Sequence, residues 1–262
     1  MTLLAPTRGT HVVHRINPVT KLVASILVSI ALVLSIDWVS ATVALAAEFL
    51  LFPFAGLTLA QFFRRTAAVW IAAVLGGFTI LLYGRPSGET YAQFLLVHIT
   101  DGSIELAIAT VLRVLAIALP AVVLFATVDP TDLADGFAQI LRLPARFVLG
   151  ALAGLRLVSL FAEDWRSLER ARRARGVGDG GRIRRFLSQA FALLVLAIRR
   201  GSKLATAMEA RAFGAPGPRT WARRSRLRGA DAVLLALAVA VAVASVSISV
   251  ATGSWNFIGG QG

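Results

Sequence analysis

The feature that most constrains this chain is a series of apolar runs, each close to the length that crosses a lipid bilayer as a helix. The runs cover residues 21–36, 38–55, 67–83, 104–127 and 230–251. A transmembrane helix needs about 20 mostly apolar residues to cross the hydrocarbon core. Because 57% of the 262 residues are hydrophobic and 16% are charged, we predict an all-α integral membrane protein with about five transmembrane helices.

The distribution of basic residues predicts the orientation of these helices. Residues 127–229 hold 20 of the 27 Lys and Arg residues, and most of the net charge of +13. The other basic residues on the same side of the predicted bundle are Arg8, Arg15, Lys21, Arg64 and Arg65. Lys and Arg concentrate on the cytoplasmic side of membranes. We therefore predict a multi-pass protein of the cytoplasmic membrane with a cytoplasmic N-terminus and an external C-terminus, whose basic charge faces the lipid bilayer and not nucleic acid.

The basic segment is too long to be a structureless loop, so we predict helices in it. A short amphipathic helix begins near Asp129 and Pro130 and ends before Pro144. Two long helices follow, one from Pro144 to Arg175 and one from about Arg182 to Phe213. The predicted organisation is a membrane domain over 1–127, cytoplasmic helices over 128–229, and a last membrane helix with a short external tail over 230–262.

Part of the first long helix, residues 147–161, is apolar enough to resemble a membrane span. Because Arg156 lies within it and a further span would reverse the orientation derived above, we predict that it does not cross the membrane. Gly150 and Gly154 are four residues apart on this helix, and we expect them to allow the two long helices to cross closely.

The two long helices end in the same residue pattern, Ala-x-x-Ala-Arg-x-x-Gly. The first copy occupies residues 171–178 and the second 207–214, an offset of 36 residues. Small residues beside an arginine give a narrow helix end that fits a groove, and a guanidinium binds a carboxylate through two parallel hydrogen bonds. The simpler alternative is that arginine suits a helix C-terminus through the helix dipole and glycine suits the cap.

These patterns, together with Asn17-Pro18-Val19-Thr20-Lys21-Leu22, the Thr-Asp-Leu segment at 131–133 and Leu143-Pro144, resemble the T component of energy-coupling factor (ECF) transporters. That family includes the transmembrane subunits of biotin and cobalt importers. The resemblance implies two crossed coupling helices, each docking onto one of two ABC ATPase subunits. The residues implied in this contact are Ala174, Arg175, Gly176, Ala210, Arg211 and Ala212, with alanine at 212 where the family pattern has glycine.

The same resemblance implies a non-catalytic subunit of an importer. ATP-driven motion would pass through the coupling helices to a small substrate-binding membrane subunit, for uptake of a vitamin or a transition-metal ion. The substrate is then selected by another polypeptide.

Two charged residues lie within the predicted spans, Glu48 in the second and Arg113 in the fourth. Charges within a membrane are expensive unless they are paired or face water. We expect the two residues to pair with one another. In the alternative, one of them contacts the substrate-binding subunit or an ion path.

Other functional classes find little support in the sequence. The chain contains no cysteine, no Gly-Lys-Ser/Thr phosphate loop and no His-Glu-x-x-His motif, so we predict no enzymatic activity, no cofactor and no resident metal. Two alternatives stay open: a self-sufficient secondary transporter or channel, and a membrane scaffold for soluble partners. Neither explains why two long helices end in the same pattern.

Overall fold

The structure, a computed structural model, describes residues 12–84, 87–94, 97–176, 181–215 and 220–255. Helices dominate this part of the chain, as predicted. The α-helices are α1 (Pro18–Val33), α2 (Trp38–Leu51), α3 (Leu59–Tyr83), α4 (Asp101–Phe125), α5 (Pro130–Gln139), α6 (Ala145–Ala174), α7 (Arg182–Ala210) and α8 (Gly229–Ala251). The strands are β1 (Thr90–Phe94) and β2 (Val97–Thr100).

The chain divides into two compact units. The first comprises Met1–Leu133 and Ser225–Gly262, and the second comprises Ala134–Arg224. The chain therefore passes from the first unit to the second after Leu133 and returns before Ser225.

The first unit is a bundle of α1, α2, α3, α4 and α8 around one apolar core. Helix α4 contacts α1, α2 and α3, and α8 contacts α1 and α2. Small and aliphatic side chains such as Ala24, Ala44, Ala116 and Leu119 fill the centre. Small residues at helix contacts let the backbones approach closely. Close packing of this kind holds helices together in a membrane, where water supplies no hydrophobic driving force between them.

Polar contacts show that successive bundle helices run in alternating directions. At one end, which we call the Lys21 end, Asn17 before α1 binds Asp231 in the first turn of α8, and Lys21 binds Thr127 after α4. Arg65 in α3 donates to the carbonyl of Ala126 at the same end. The N-termini of α1, α3 and α8 and the C-terminus of α4 therefore lie together.

The opposite end of the bundle, the Asp37 end, is organised by one buried carboxylate in the turn between α1 and α2. Asp37 caps α2 by accepting from the Ser40 amide at 2.6 Å. It also accepts from the hydroxyls of Ser35, Ser40 and Ser249 at 2.6, 2.8 and 2.8 Å. Ser249 lies near the C-terminus of α8, so this carboxylate ties three helix ends together.

Among the described residues, four helices are long and apolar enough to cross a membrane: α3, α4, α6 and α8. Three of them, α3, α4 and α8, correspond to predicted spans. The length and composition of α6 also qualify it, although the sequence analysis placed it outside the membrane. Helices α1 and α2 have 16 and 14 residues, about 24 and 21 Å. Helix α1 is as long as the predicted run but begins and ends three residues earlier, and the chain turns before Trp38. Helix α2 is shorter than the predicted run because Phe52–Ala55 form a separate 3-10 helix.

Two local features differ from the sequence analysis. Helix α3 begins at Leu59, because Thr58 and Gln61 form a capping box there, so Arg64 and Arg65 lie in a helix and not in a loop. Between α3 and α4, β1 and β2 form an antiparallel hairpin, with an irregularity between Thr90 and Ala92. The all-α prediction did not include this hairpin.

The second unit contains most of α5 together with α6 and α7. Ala134 and Ala138 of α5 pack against Val148 of α6, with Phe137, Leu152 and Trp221 around them. The side chain of Gln139 donates to the carbonyl of Arg223 at 2.8 Å, which fixes the segment that follows α7 against α5.

Candidate functional site

The first of the two repeated patterns ends α6. Arg175 is the C-cap of this helix, and its amide donates to the carbonyls of Ala171 and Arg173. Gly176 follows with φ of +68°, and its amide donates to the carbonyl of Arg173 at 3.1 Å. A left-handed residue directly after the C-cap is a common way to end a helix, and glycine adopts that conformation without steric cost.

The second pattern ends α7 in the same way. Arg211 is the C-cap, and Ala212 follows with φ of +56°. The amides of Ala212 and Phe213 donate to the carbonyls of Glu209 and Met208, each at 2.9 Å, which is the hydrogen-bond pattern of a Schellman motif. Alanine therefore keeps the conformation that Gly176 has in the first copy, at a cost of about 1–2 kcal/mol for its Cβ.

Both helix ends present their arginine to the surroundings. Arg175 and Arg211 are exposed, as are Ala174 and Ala210 before them. Within the described part of the chain, neither guanidinium takes part in a hydrogen bond or an ion pair. Gly176 faces open space, with no atom within 4 Å of the position of an added Cβ. The two ends are therefore free to bind an external acceptor; Gly178 of the first copy lies outside the described residues.

Polar contacts hold α6 and α7 to each other. Arg200 donates from both terminal nitrogens to the two carboxylate oxygens of Asp164. The side chain of Gln189 donates to the carbonyl of Trp165 at 2.8 Å, and Arg172 donates to Ser188 at 2.8 Å. The ring of Trp165 also packs on Phe186, with 5.5 Å between centroids. We call these contacts the α6–α7 clasp.

The expected role of Gly150 and Gly154 in the helix crossing is wrong. Both glycines are exposed, and no atom lies within 4 Å of an added Cβ at either position. The contacts of the clasp lie at residues 164–172 of α6 instead. Close approach is unnecessary there, because long polar side chains bridge the two helices.

A comparison with known protein families gives a match that includes both of these helix ends. Residues 9–221 match the family of cobalt transport proteins, CbiQ, so the match covers the two repeated patterns and most of the bundle. The chain belongs to the cobalt transport protein family.

Transmembrane proteins of energy-coupling factor transporters resemble most of the chain. The energy-coupling factor transporter transmembrane protein EcfT of Limosilactobacillus fermentum is 28% identical over 180 residues, which cover 64% of this chain and 67% of that protein. EcfT of Bacillus selenitireducens is 27% identical over 244 residues, covering 87% and 89% of the two chains. EcfT of Heliobacterium modesticaldum is 29% identical over 238 residues, covering 86% and 88%. The predicted resemblance to the T component of ECF transporters is confirmed.

In this member of the cobalt transport protein family, apolar side chains of α6 and α7 are exposed over much of their length. On α7, Phe186, Phe191 and Ile198 are 58%, 68% and 62% exposed. On α6, Phe147 and Val158 are 64% and 63% exposed. Exposed apolar surface of this extent marks a contact with another protein or with lipid.

The structure does not join Glu48 and Arg113, the two charges that the sequence analysis placed within spans. Both carboxylate oxygens of Glu48 and two nitrogens of Arg113, Nε and Nη2, are buried without a hydrogen-bond partner. Glu48 lines an apolar cavity of about 90 Å³ between α1, α2, α4 and α8. Family membership gives neither residue a role.

Among the described residues, no group of three or more His, Cys, Asp and Glu side chains is placed to hold a metal ion. The sequence analysis missed the Asp164–Arg200 pair. The two residues lie 36 positions apart, and no local pattern in the sequence marks them as partners.

Proposed function

We propose that this protein is the transmembrane coupling subunit of an ECF-type ABC importer. In this proposal it catalyses no reaction, and it transmits ATP-driven motion from two ATPase subunits to a small substrate-binding membrane subunit that takes up a vitamin or a transition-metal ion. The observation that carries the proposal is the matched geometry of the ends of α6 and α7. Each presents an exposed C-cap arginine followed by a left-handed residue, and the two helices are held together by the clasp.

The chemistry of the helix ends suits a carboxylate in a groove of each ATPase. Arg175 and Arg211 supply the guanidinium groups, because neither is engaged within the described chain. Ala174, Gly176, Ala210 and Ala212 keep the ends narrow, so that a groove closes around the arginine. A charge-assisted contact of this kind, once buried, loses about 2–5 kcal/mol of association when one partner is truncated.

The exposed apolar surface of α6 and α7 suits the second partner, the substrate-binding membrane subunit. Phe191 and Ile198 of α7 and Phe147 and Val158 of α6 offer large apolar contacts that soluble ATPases have no reason to cover. The clasp gives the two helices a common motion, because Asp164 and Arg200 are joined through two hydrogen bonds. Motion imposed at the helix ends therefore reaches the apolar surface.

The positions of the helix ends in the bundle support the proposed orientation. Both connections to the second unit leave from the Lys21 end, where α1 and α3 also begin. Arg64 and Arg65 lie in the first turns of α3, near this end. We infer that the Lys21 end is cytoplasmic and that the Asp37 end, with the C-terminus of α8, is external.

The proposal is tested by native mass spectrometry of the tagged protein purified from its own membranes in mild detergent. The wild-type protein is expected to carry two ATPase subunits and one small membrane protein. Either single variant, Arg175→Ala or Arg211→Ala, is expected to lose one ATPase, and the double variant to lose both. The controls are Arg166→Ala and Arg199→Ala, which remove exposed arginines of α6 and α7 away from the helix ends.

Experiments on the purified protein also test the two alternative functions, a self-sufficient carrier and a scaffold. If the purified chain alone transports a substrate in proteoliposomes, it is a self-sufficient carrier. If it brings down soluble proteins without ATPase activity, and the double variant retains them, it is a scaffold. Both results would contradict the proposed coupling role.

A further inference from the structure

Four buried polar residues at the Lys21 end form a cluster that the ATPase contact does not explain. Asn17, Lys21, Thr127 and Asp231 are 7%, 1%, 7% and 2% exposed. We call them the Lys21 cluster. Two of them, Asn17 and Lys21, belong to the N-terminal motif that the resemblance singled out, yet neither lies near α6 or α7 in sequence. Buried polar groups are retained only where their hydrogen bonds are satisfied, so the cluster is costly to assemble by chance.

Asp231 is the centre of the first half of the cluster. Its Oδ1 accepts from the amide of Asn17 at 2.7 Å, and its Oδ2 accepts from the amide of Arg228 at 2.5 Å. The side chain of Asn17 in turn donates to the hydroxyl of Ser225 at 2.8 Å. One carboxylate and one amide thus join the start of α1 to the whole segment from Ser225 to Asp231.

Lys21 is the centre of the second half. Its ammonium group donates to the hydroxyl of Thr127 at 2.7 Å, and the carbonyl of Thr127 lies 3.5 Å away. The lysine therefore joins α1 to the segment between α4 and α5.

The two segments held by the cluster are the two places where the chain leaves the first unit. Residues 127–133 precede the passage into the second unit, and residues 225–231 follow the return from it. We propose that Asn17, Lys21 and Asp231 are positioning residues that fix both chain exits to the start of α1. This inference rests on the proposed function. It gives the N-terminal motif, which contains Asn17 and Lys21, a role in passing motion to the bundle and no role in binding the ATPases.

The physical consequence is that force arriving along either connection is passed to the bundle helices. A segment tethered by several buried hydrogen bonds yields little before it moves its neighbours. The same segment without the cluster absorbs the displacement by local bending, because residues 128–129 and 225–228 form no helix of their own. Motion of α6 and α7 would then no longer reach α1, α4 and α8.

The first experiment measures hydrogen–deuterium exchange on the full-length protein in lipid nanodiscs, without any partner. Lys21→Met keeps an unbranched side chain and removes the ammonium group, and Thr127→Val removes the hydroxyl that Lys21 binds. Both are expected to speed exchange in residues 127–133 about tenfold or more. Ser225→Ala removes the hydroxyl that accepts from Asn17 and is expected to do the same in residues 225–231, with α2 and α3 unchanged in all three variants. Thr127→Ser keeps the hydroxyl and is expected to exchange as the wild type does.

The matched control is Thr79→Val, since Thr79 is an exposed threonine of α3 whose hydroxyl bonds a carbonyl of its own helix, as that of Thr127 bonds Leu124. If Lys21→Met does not fold, Thr127→Val alone carries the test at residues 127–133. Unchanged exchange in residues 127–133 of Thr127→Val, or in residues 225–231 of Ser225→Ala, would overturn the inference.

A second experiment separates the cluster from ATPase binding. In the complex purified with its ATPases, a non-hydrolysable ATP analogue is expected to alter exchange in α6, α7, α1 and α4 of the wild type. In Thr127→Val, the ATPases are expected to stay bound and the change to be confined to α6 and α7. A change that still reaches α1 and α4 contradicts the positioning role. Absence of ATPases from the wild-type preparation contradicts the proposed function. The exchange measured on the isolated chain tests only the positioning role, so the two failures can be told apart.

Discussion

Alanine at position 212 occupies a left-handed backbone conformation that glycine adopts at the equivalent position of α6. The sequence showed the substitution, and the structure shows that the hydrogen bonds of the helix end survive it. The residue therefore keeps the geometry at an energetic cost. A difference of one methyl group makes the end of α7 the more strained of the two.

The strain predicts that Ala212→Gly stabilises the end of α7 by about 1 kcal/mol, because glycine carries no Cβ to clash in this conformation. Amide exchange of Ala212 and Phe213 should slow accordingly. The control is the same chemical change at Ala205, an exposed residue inside α7, where glycine should destabilise the helix by about 1 kcal/mol. Equal effects at the two positions would show that residue 212 is unstrained.

Glu48 and Arg113 give a second prediction at the residue scale. Because the structure leaves both without a hydrogen bond, Glu48→Leu should raise the unfolding free energy by about 1–3 kcal/mol, as an unpaired buried polar group is removed from an apolar cavity. Thermal unfolding of Glu48→Leu, Arg113→Met and the double variant forms a cycle with the wild type. Additive effects are expected, and a coupling of about 0.5–3 kcal/mol would restore the pair predicted from the sequence.

Asp37 gives a pH dependence. Burial alone would raise the pKa of its carboxyl, but the hydrogen bonds from Ser35, Ser40 and Ser249 outweigh burial and hold the pKa below its ordinary value of 3.8. A carboxyl with a lower pKa in the folded state stabilises the fold above its unfolded pKa, and this contribution is lost as the pH falls through the folded pKa. Asp37→Asn should therefore lower the melting temperature at pH 7, and its difference from the wild type should shrink below about pH 4. A difference that stays constant across this range would contradict the assignment.

At the scale of elements, the sequence predicted most helices and missed what joins them. The proline at 144 and the glycine at 176 gave the bounds of α6 to within a residue or two, because these residues act locally through backbone geometry. The hairpin between α3 and α4 and the early start of α3 at the Thr58 cap were not predicted. Both depend on short polar motifs that also occur in loops.

The contacts between α6 and α7 could not be predicted for a different reason. Gly150 and Gly154 gave a local pattern typical of close helix crossing, whereas the structure uses Asp164, Arg200 and Gln189. These residues are ordinary for exposed helices, and their pairing depends on a three-dimensional arrangement that periodicity does not specify.

The clasp predicts that exchanging the charges of Asp164 and Arg200 restores the contact between α6 and α7. Arg200→Asp leaves two carboxylates facing each other and should loosen α7 from α6, while the further change Asp164→Arg should recover about 1 kcal/mol, since the side chains are partly exposed. Exchange protection at residues 186–200 measures the effect. The control is the exposed Glu169–Arg173 pair within α6, where Arg173→Ala should cost less than about 0.5 kcal/mol. Failure of the double variant to recover protection would contradict the clasp.

For the molecule as a whole, the sequence predicted the ends of α6 and α7 better than the contacts within the bundle. The two patterns 36 residues apart identified both helix ends, because a cap and an exposed arginine are encoded in a few neighbouring residues. The Lys21 cluster joins residues more than 100 positions apart, and nothing local in the sequence relates Asn17 to Asp231. In the positioning role proposed above, long-range polar contacts of this kind set how the parts of the molecule move together.

The measurement that tests the central claim most directly is site-specific crosslinking from the two helix ends. Because the natural chain contains no cysteine, Ala174→Cys and Ala210→Cys each introduce a single thiol, which a photoactivatable maleimide labels in native membranes. Crosslinks from both positions to ATPase subunits are expected, whereas Ser159→Cys, exposed in the middle of α6, should give none to an ATPase. Crosslinks from positions 174 and 210 to lipid alone, in membranes where the ATPases are present, would contradict the coupling role.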